Sequence, residues 1–268
     1  MKLVNKGSPP SSLCRYVSTY PDATWADMSY DNSLGGSYAA HDCRDQAIAD
    51  QCGLCAYCER EITSHKPLQR RIEHFHPKSD RSEARNWGLD WENMLAVCDG
   101  GSGGSQDEQK THPLPKNLSC DAHKDRMIQI GNLPVCCEGY LLNPLDVPAF
   151  PNLFAFEKGS WRLMPDETCC ASVNVAGNVY ETTAELVAHT ISYLNLNCER
   201  LTDSRMRLVY NIERNIKKLR EHGFKPADIP DKLVQRYFRK KWPEFFTTLR
   251  CLLGAAAEDY LVSSDFQG

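Results

Sequence analysis

Cys55-Ala56-Tyr57-Cys58, Ile72-Glu73-His74-Phe75-His76-Pro77, Trp91-Glu92-Asn93-Met94-Leu95, Cys98 and Cys120-Asp121-Ala122-His123-Lys124 follow one another in that order. A Cys-x2-Cys turn lets one backbone knuckle present two thiolates, and zinc completes a tetrahedron with four sulfur or nitrogen ligands. Cys52-Gly53-Leu54-Cys55 offers an overlapping register. Cys55 and Cys58 are preferred, because Cys52 falls at the end of a preceding helix. Cys98 and Cys120 are the expected second pair. They are separated by 21 residues, a gap a loop can close because closure entropy grows slowly with length. His112, Cys136 and Cys137 remain rivals for the fourth position.

The residues between the cysteines carry hydrolytic chemistry. Breaking a phosphodiester needs a base to deprotonate water and a divalent cation to stabilise the charge that develops. A neutral imidazole, His74, suits the first task near neutral pH. The adjacent Glu73 offers a hard oxygen for Mg2+ or Mn2+. On a regular strand neighbouring side chains point to opposite faces, so Glu73 and His74 converge only where the strand ends. Asn93, beside apolar neighbours, is suited to pinning a loop through backbone hydrogen bonds. Asp121 and His123 open a helix whose N-terminus favours anions.

The rest of the chain bounds the setting. With 268 residues and 41% hydrophobic content, it can bury a substantial core. Its net charge of −4 does not advertise a nucleic-acid binder, so phosphate must be met by a local basic face. Lys78, Arg71 and Lys124 are the expected phosphate contacts, within a wider set of Lys66, Arg70, Arg81, Arg85 and Lys110 around the motif. Thirteen cysteines without a signal-like N-terminus or a membrane-length apolar run point to metal binding in a cytoplasmic protein rather than to disulfides.

The chain divides into four expected stretches. Residues 1–50 read as an irregular arm, punctuated by Pro9-Pro10 and Pro21, followed by a helix over 38–51. Residues 51–130 hold the motif. Within them, 54–62 and 70–76 are expected to form two strands joined by a turn at 63–67. The segment 87–98 reads as a loop and buried turn, 99–110 as a solvated Gly/Ser-rich loop, and 120–129 as a helix. Residues 131–180 are proline-punctuated strands and loops, with a hairpin turn at Asn174–Asn178. Residues 181–268 are helical, interrupted at Asn195–Asn197 and at Trp242-Pro243. The fold class is therefore α+β, mainly helical.

The motif as a whole resembles the HNH endonuclease family, whose centre is a ββα-metal fold. The resemblance rests on Cys55/Cys58, Glu73-His74, Asn93, Cys98 and Cys120-Asp121-x-x-Lys124. It implies a structural Zn2+ on Cys55, Cys58, Cys98 and Cys120, with His74 as general base and Asn93 as the amide orienting its loop. It implies a catalytic Mg2+ or Mn2+ on Glu73 and Asp121. Asp121 stands where the family often has His or Asn, and His123 is the substitute candidate. More narrowly, Leu54–Glu59, Ile72–Lys78 and Leu194-Asn195-Leu196-Asn197 are similar to the HNH subunits of Septu-type and retron-associated antiviral defence systems. That similarity implies a DNA-cutting effector with an ABC/SMC-like ATPase partner. A retron reverse transcriptase with its msDNA is a further implied component, and the helical C-terminal region is the expected docking surface. An RNA endonuclease with the same site, acting for example on tRNA, and a non-catalytic zinc-stapled adaptor are the alternatives.

Overall fold

Helices begin earlier than the proline-rich start of the chain suggests. In the computed structural model, which describes all residues except 32–34, 64–68, 81–84, 240–241 and 267–268, α1 spans Ser11–Thr19 and α2 spans Trp25–Tyr30. The expected irregular arm is thus corrected. Pro10 stands at the N-cap of α1, and Thr24 and Asp27 form a capping box at the start of α2. The prolines punctuate short helices rather than exclude them. Such short helices show too few turns for an apolar period to register.

α1 and α2 pack on α3 (Gly36–Asp50), which lies close to the expected helix over 38–51. Gly36 makes the α2–α3 approach feasible. A Cβ there would meet the Met28 carbonyl oxygen at 2.5 Å and the Tyr16 ring at 2.9 Å. At its far end α3 runs into Cys52 and Gly53, both with positive φ, and so into the knuckle.

The strand pairing differs from expectation. Residues 54–62 form tight turns with a single bridge between Leu54 and Glu61, not a strand. The Cys55 N–H donates to the Arg60 carbonyl at 2.8 Å and the Glu59 N–H to the Cys55 carbonyl at 3.0 Å, which consumes the groups a ladder would use. β1 (Arg70–His74) pairs instead, antiparallel, with β2 (Met94–Cys98), His74 opposite Met94 and Arg70 opposite Cys98. β2 occupies part of the stretch read as loop and turn. All its residues are buried, so it lacks the in–out alternation that marks a one-sided strand. Most of the expected turn at 63–67 lies outside the described residues.

Beyond β2 the chain makes α4 (Gln106–Thr111), where only loop was expected. Ser105 and Glu108 cap it reciprocally, a pattern readable in the sequence. α5 spans Cys120–Gln129, as expected, and packs on β2. The hairpin of the middle region lies at β3 (Phe154–Glu157) and β4 (Arg162–Pro165), not at Asn174–Asn178. α6 (Glu167–Ala171) follows. α7 (Thr183–Tyr193) and α8 (Glu199–Glu221) are separated at Asn195–Asn197 as predicted. α9 (Ile229–Tyr237), α10 (Phe246–Leu253) and α11 (Ala255–Ser263) close the chain. No helix among the described residues is long and apolar enough to cross a membrane.

Among the described residues, two apolar cores result. The larger joins the N-terminal helices, the knuckle, both strands of the ribbon and α7. The smaller gathers Leu233, Phe238, Trp242, Phe246 and Leu261. The knuckle lies at their seam: Cys55–Cys58 belong to the first core and Leu54 to the second. Glu59 ties the seam further. Its carboxylate accepts from the Thr247 N–H at 2.8 Å and hydroxyl at 2.6 Å, and lies 3.2 Å from the Met1 ammonium.

Gly36→Ala is expected to destabilise the protein by about 1–3 kcal/mol through overpacking against α2. Urea unfolding with an unchanged midpoint would contradict this account of the α2–α3 contact.

Candidate functional site

Four sulfurs meet where the knuckle, the end of β2 and the start of α5 converge. The ligand atoms of Cys55, Cys58, Cys98 and Cys120 all lie within 4.8 Å of one another, and all four residues are buried. Cys55 and Cys120 are 3.8 Å apart, and Cys98 lies 3.7 Å from both Cys58 and Cys120. Thiolates ~2.3 Å from a central zinc would lie about 3.8 Å from each other, so the donor set fits a tetrahedral structural ion. The left-handed φ of Cys120 turns its side chain into the cluster at the first residue of α5. The Gly100 N–H approaches the Cys98 sulfur at 3.4 Å.

None of the rivals joins this group. His112 pairs with Asp203 at 2.9 Å, the Cys137 thiol donates to the Phe75 carbonyl at 3.4 Å, and Cys136 lies beside His76 and Glu138.

A cavity of about 330 Å³ opens beside the ribbon. Glu73, His74, Phe75, Lys78, Asp121 and Lys124 are among the residues lining it. Glu73 and His74 reach one cavity from consecutive positions because β1 ends at His74. Asp121, Lys124 and Asp125 share one face of α5, being three and four residues apart. Asp125 also lines the cavity and was not singled out from sequence. His123 faces elsewhere, its Nδ1 2.8 Å from the Tyr193 carbonyl.

The electrostatics of the cavity are unbalanced. Glu73 and Lys124 are both buried and paired with each other, and the Tyr57 hydroxyl donates to the same carboxylate oxygen at 3.4 Å. Burial, reinforced by the nearby Asp121 carboxylate, pushes the Glu73 carboxyl well above its ordinary range despite Lys124. Burial acts to lower the Lys124 ammonium, but Glu73 outweighs it and the net shift is upward. Asp121 Oδ1 is buried without a hydrogen-bond partner. Two carboxylates thus face one ammonium, and a buried oxygen is left unsatisfied. A hard divalent cation suits these oxygen donors in charge and in type. The Lys124 ammonium, expected at phosphate, is buried and paired with Glu73.

His74 is held as a neutral base. Its Nε2 lies 3.0 Å from the Gly88 carbonyl. A carbonyl only accepts, so Nε2 carries the proton and Nδ1 keeps its lone pair. Burial pulls its pKa down to about 4, which keeps the ring uncharged at neutral pH. Asn93 fastens the following loop: Oδ1 accepts the His76 N–H at 2.7 Å, and Nδ2 donates to the His76 and Trp87 carbonyls at 3.0 and 2.9 Å.

Supporting contacts also come from the unexpected N-terminal elements. Trp25 packs edge-on against His74 with centroids 5.1 Å apart. The Lys6 ammonium donates to the Trp91 and Met94 carbonyls that flank Asn93 and lies over the Trp91 ring. No local pattern marks either residue in the sequence. Among the basic candidates, Lys78 is exposed on the cavity wall, and exposed Arg71 donates to Ser102 at 3.1 Å. Arg85 pairs with Asp90 and Lys110 with Asp107. Lys66 and Arg81 lie outside the described residues.

No family model matches the chain. It is 33% identical over 263 residues to a protein of Escherichia coli assigned as the HNH endonuclease of retron Ec83, covering 94% of this chain and 93% of that one.

Replacing Cys120 by Ser is expected to release one zinc per chain and to unfold the region around the knuckle, since structural zinc binding and folding are coupled. Metal analysis and thermal melting of the purified protein check this, and full zinc content in the variant would overturn the ligand assignment.

Proposed function

The chain belongs to the HNH endonuclease family, and from that premise we propose that it is a metal-dependent endonuclease that cuts DNA as the effector of a retron-associated antiviral defence complex. The observation that carries the catalytic reading is a neutral His74, with Nδ1 unprotonated, in one cavity with the Glu73–Asp121 carboxylate pair. In this reading β1, β2 and α5 are the ββα-metal core, and Cys55, Cys58, Cys98 and Cys120 hold the structural Zn2+.

Nδ1 of His74 takes a proton from the attacking water, while Nε2–H stays on the Gly88 carbonyl and keeps the ring aimed. Asn93 holds the loop beyond His74 so that the base does not drift from the cavity. Asp121, with its unpartnered oxygen, and Glu73 would hold Mg2+ or Mn2+, which supplies charge stabilisation at the phosphate and leaving oxygen. Lys124 remains on Glu73 and limits the charge that pair presents. Lys78 and Arg71, both exposed, would meet the nucleic-acid backbone in this reading.

A similarity to a retron-associated protein supports a reverse transcriptase with its msDNA as a component. The ABC/SMC-like ATPase is proposed on the Septu-type resemblance alone. For the docking surface we assign the exposed face of α8, which carries Arg214, Lys217, Lys218 and Arg220. Deleting the whole helical region would be uninformative, because Leu186, Val187, Leu196 and Leu201 belong to the same core as the knuckle.

His74→Ala is expected to lower the cleavage rate by about 10²–10⁴-fold with zinc content unchanged. The assay offers labelled DNA and labelled RNA separately, with Mg2+ or Mn2+. Cleavage of RNA alone would select the tRNA-type alternative, and a cellular defence phenotype indifferent to His74→Ala would select the adaptor. Independently, charge reversal at Lys217 and Lys218 should abolish co-purification with the ATPase while leaving intrinsic cleavage intact. Unchanged complex formation would move the docking surface elsewhere.

A further inference from the structure

His76 is held more firmly than a half-buried histidine next to solvent requires. Asn93 grips its backbone at both the N–H and the carbonyl, and its ring stacks on Trp87 with centroids 4.0 Å apart. Its two ring nitrogens face two carboxylates. Nε2 lies 2.8 Å from Asp80 Oδ2, and Nδ1 lies 2.6 Å from Glu138 Oε1.

A neutral imidazole carries one N–H. With Nε2–H donating to Asp80, Nδ1 presents a lone pair to the lone pairs of Glu138. That contact needs a cation between the two atoms, either a proton or a metal ion. The third neighbour separates these cases. The Cys136 sulfur and the ligand atoms of His76 and Glu138 all lie within 4.8 Å of one another. A protonated ring gains little from a thiol there, whereas a metal gains a ligand.

The backbone explains how these groups converge. Cys136 and Glu138 flank Cys137, which is buried with its thiol on the Phe75 carbonyl. With Cys137 turned inward, its two neighbours turn outward toward the loop that carries His76. Both are exposed, so an ion there would keep a coordination position open to water.

We propose that His76, Cys136 and Glu138 form a second metal site, with Asp80 orienting the histidine, and that it takes Zn2+ or a similar borderline divalent transition-metal ion. The Asp80–His76 contact has the form of the carboxylate–histidine–metal relay that fixes the tautomer of a ligating ring. Thiolate and imidazole donors disfavour Mg2+, which demands hard oxygens. The site therefore discriminates against the hard ion that the Glu73–Asp121 pair suits. It also differs from the four-cysteine group, whose ligands are all buried: this one is solvent-facing and exchangeable. Bonds of about 2.0–2.1 Å to nitrogen and oxygen require only a small opening of the Nδ1–Glu138 contact.

The test uses the full-length protein with its cysteine staple loaded with zinc, and needs no nuclease assay. After equilibration with Zn2+, wild-type protein should hold one equivalent more than the Cys136→Ser and Glu138→Gln variants. Both substituted residues are exposed, and unfolding curves confirm that the variants fold. Co2+ added to the zinc-stapled wild type should give a thiolate-to-cobalt charge-transfer band that Cys136→Ser lacks. Asp80→Asn should weaken Co2+ binding by about 10–100-fold. Equal zinc content in wild type and Cys136→Ser, or no cobalt band in the wild type, would show that a doubly paired imidazolium is all that resides there.

Discussion

Convergence of four sulfurs is the constraint on which the rest depends. It draws together a turn after α3, the end of β2 and the first residue of α5, and it places the knuckle where the two apolar cores touch. Without an ion the arrangement would bury four thiols for little return. With zinc, four thiolates leave surplus negative charge in a dry environment. Two arginines, Arg205 buried and Arg200 half-buried, answer it. Arg205 donates to the Leu196 carbonyl at 2.8 Å, and Arg200 to the Ser119 hydroxyl at 2.7 Å next to Cys120. The cysteines raise the Arg200 pKa against the opposing effect of burial. A loop of ordinary polarity could not stand at this junction, because a buried backbone must find partners for every polar group.

The same constraint sets the geometry of the cavity that holds Glu73, His74 and Asp121. Cys98 ends β2 and Cys120 begins α5, so fixing these two sulfurs fixes the helix against the ribbon. Asp121 then follows from Cys120, and Glu73 from the pairing of β1 with β2, where it stands opposite Leu95. The result is a buried pair of acidic side chains, Glu73 paired with Lys124 and Asp121 with one unpartnered oxygen. Such a cluster is costly unless a proton or a further cation is present, and its oxygen donors are of the type that hard divalent cations take. The neutral His74 beside it adds no charge to the balance.

The N-terminal segment illustrates how far a motif depends on residues that carry no motif. Trp25 closes one side of His74, and Lys6 secures the turn that bears Asn93. Asn86 in turn donates to the Pro21 and Ala23 carbonyls at 2.8 Å, tying the loop after His74 back to the N-terminal segment. These are long-range contacts made by side chains whose local surroundings look ordinary. Only the folded chain shows that this segment belongs to the same body as the site.

Local chemistry determined much by itself. The Cys-x2-Cys spacing, the Glu73-His74 pair, the helix starting at Cys120 and the α7–α8 interruption were all legible, because each depends on neighbours within a few residues. Residues 54–62 and β2 were misread for a physical reason. A turn that spends its hydrogen bonds on itself can alternate like a strand, and a strand covered on both faces loses its alternation. Tertiary structure alone decided which strands pair, that Lys124 pairs with Glu73, that His123 turns away, and that His76 meets Cys136 and Glu138. Pairing, burial and charge balance are properties of groups brought together from distant parts of the chain, and no local pattern encodes them.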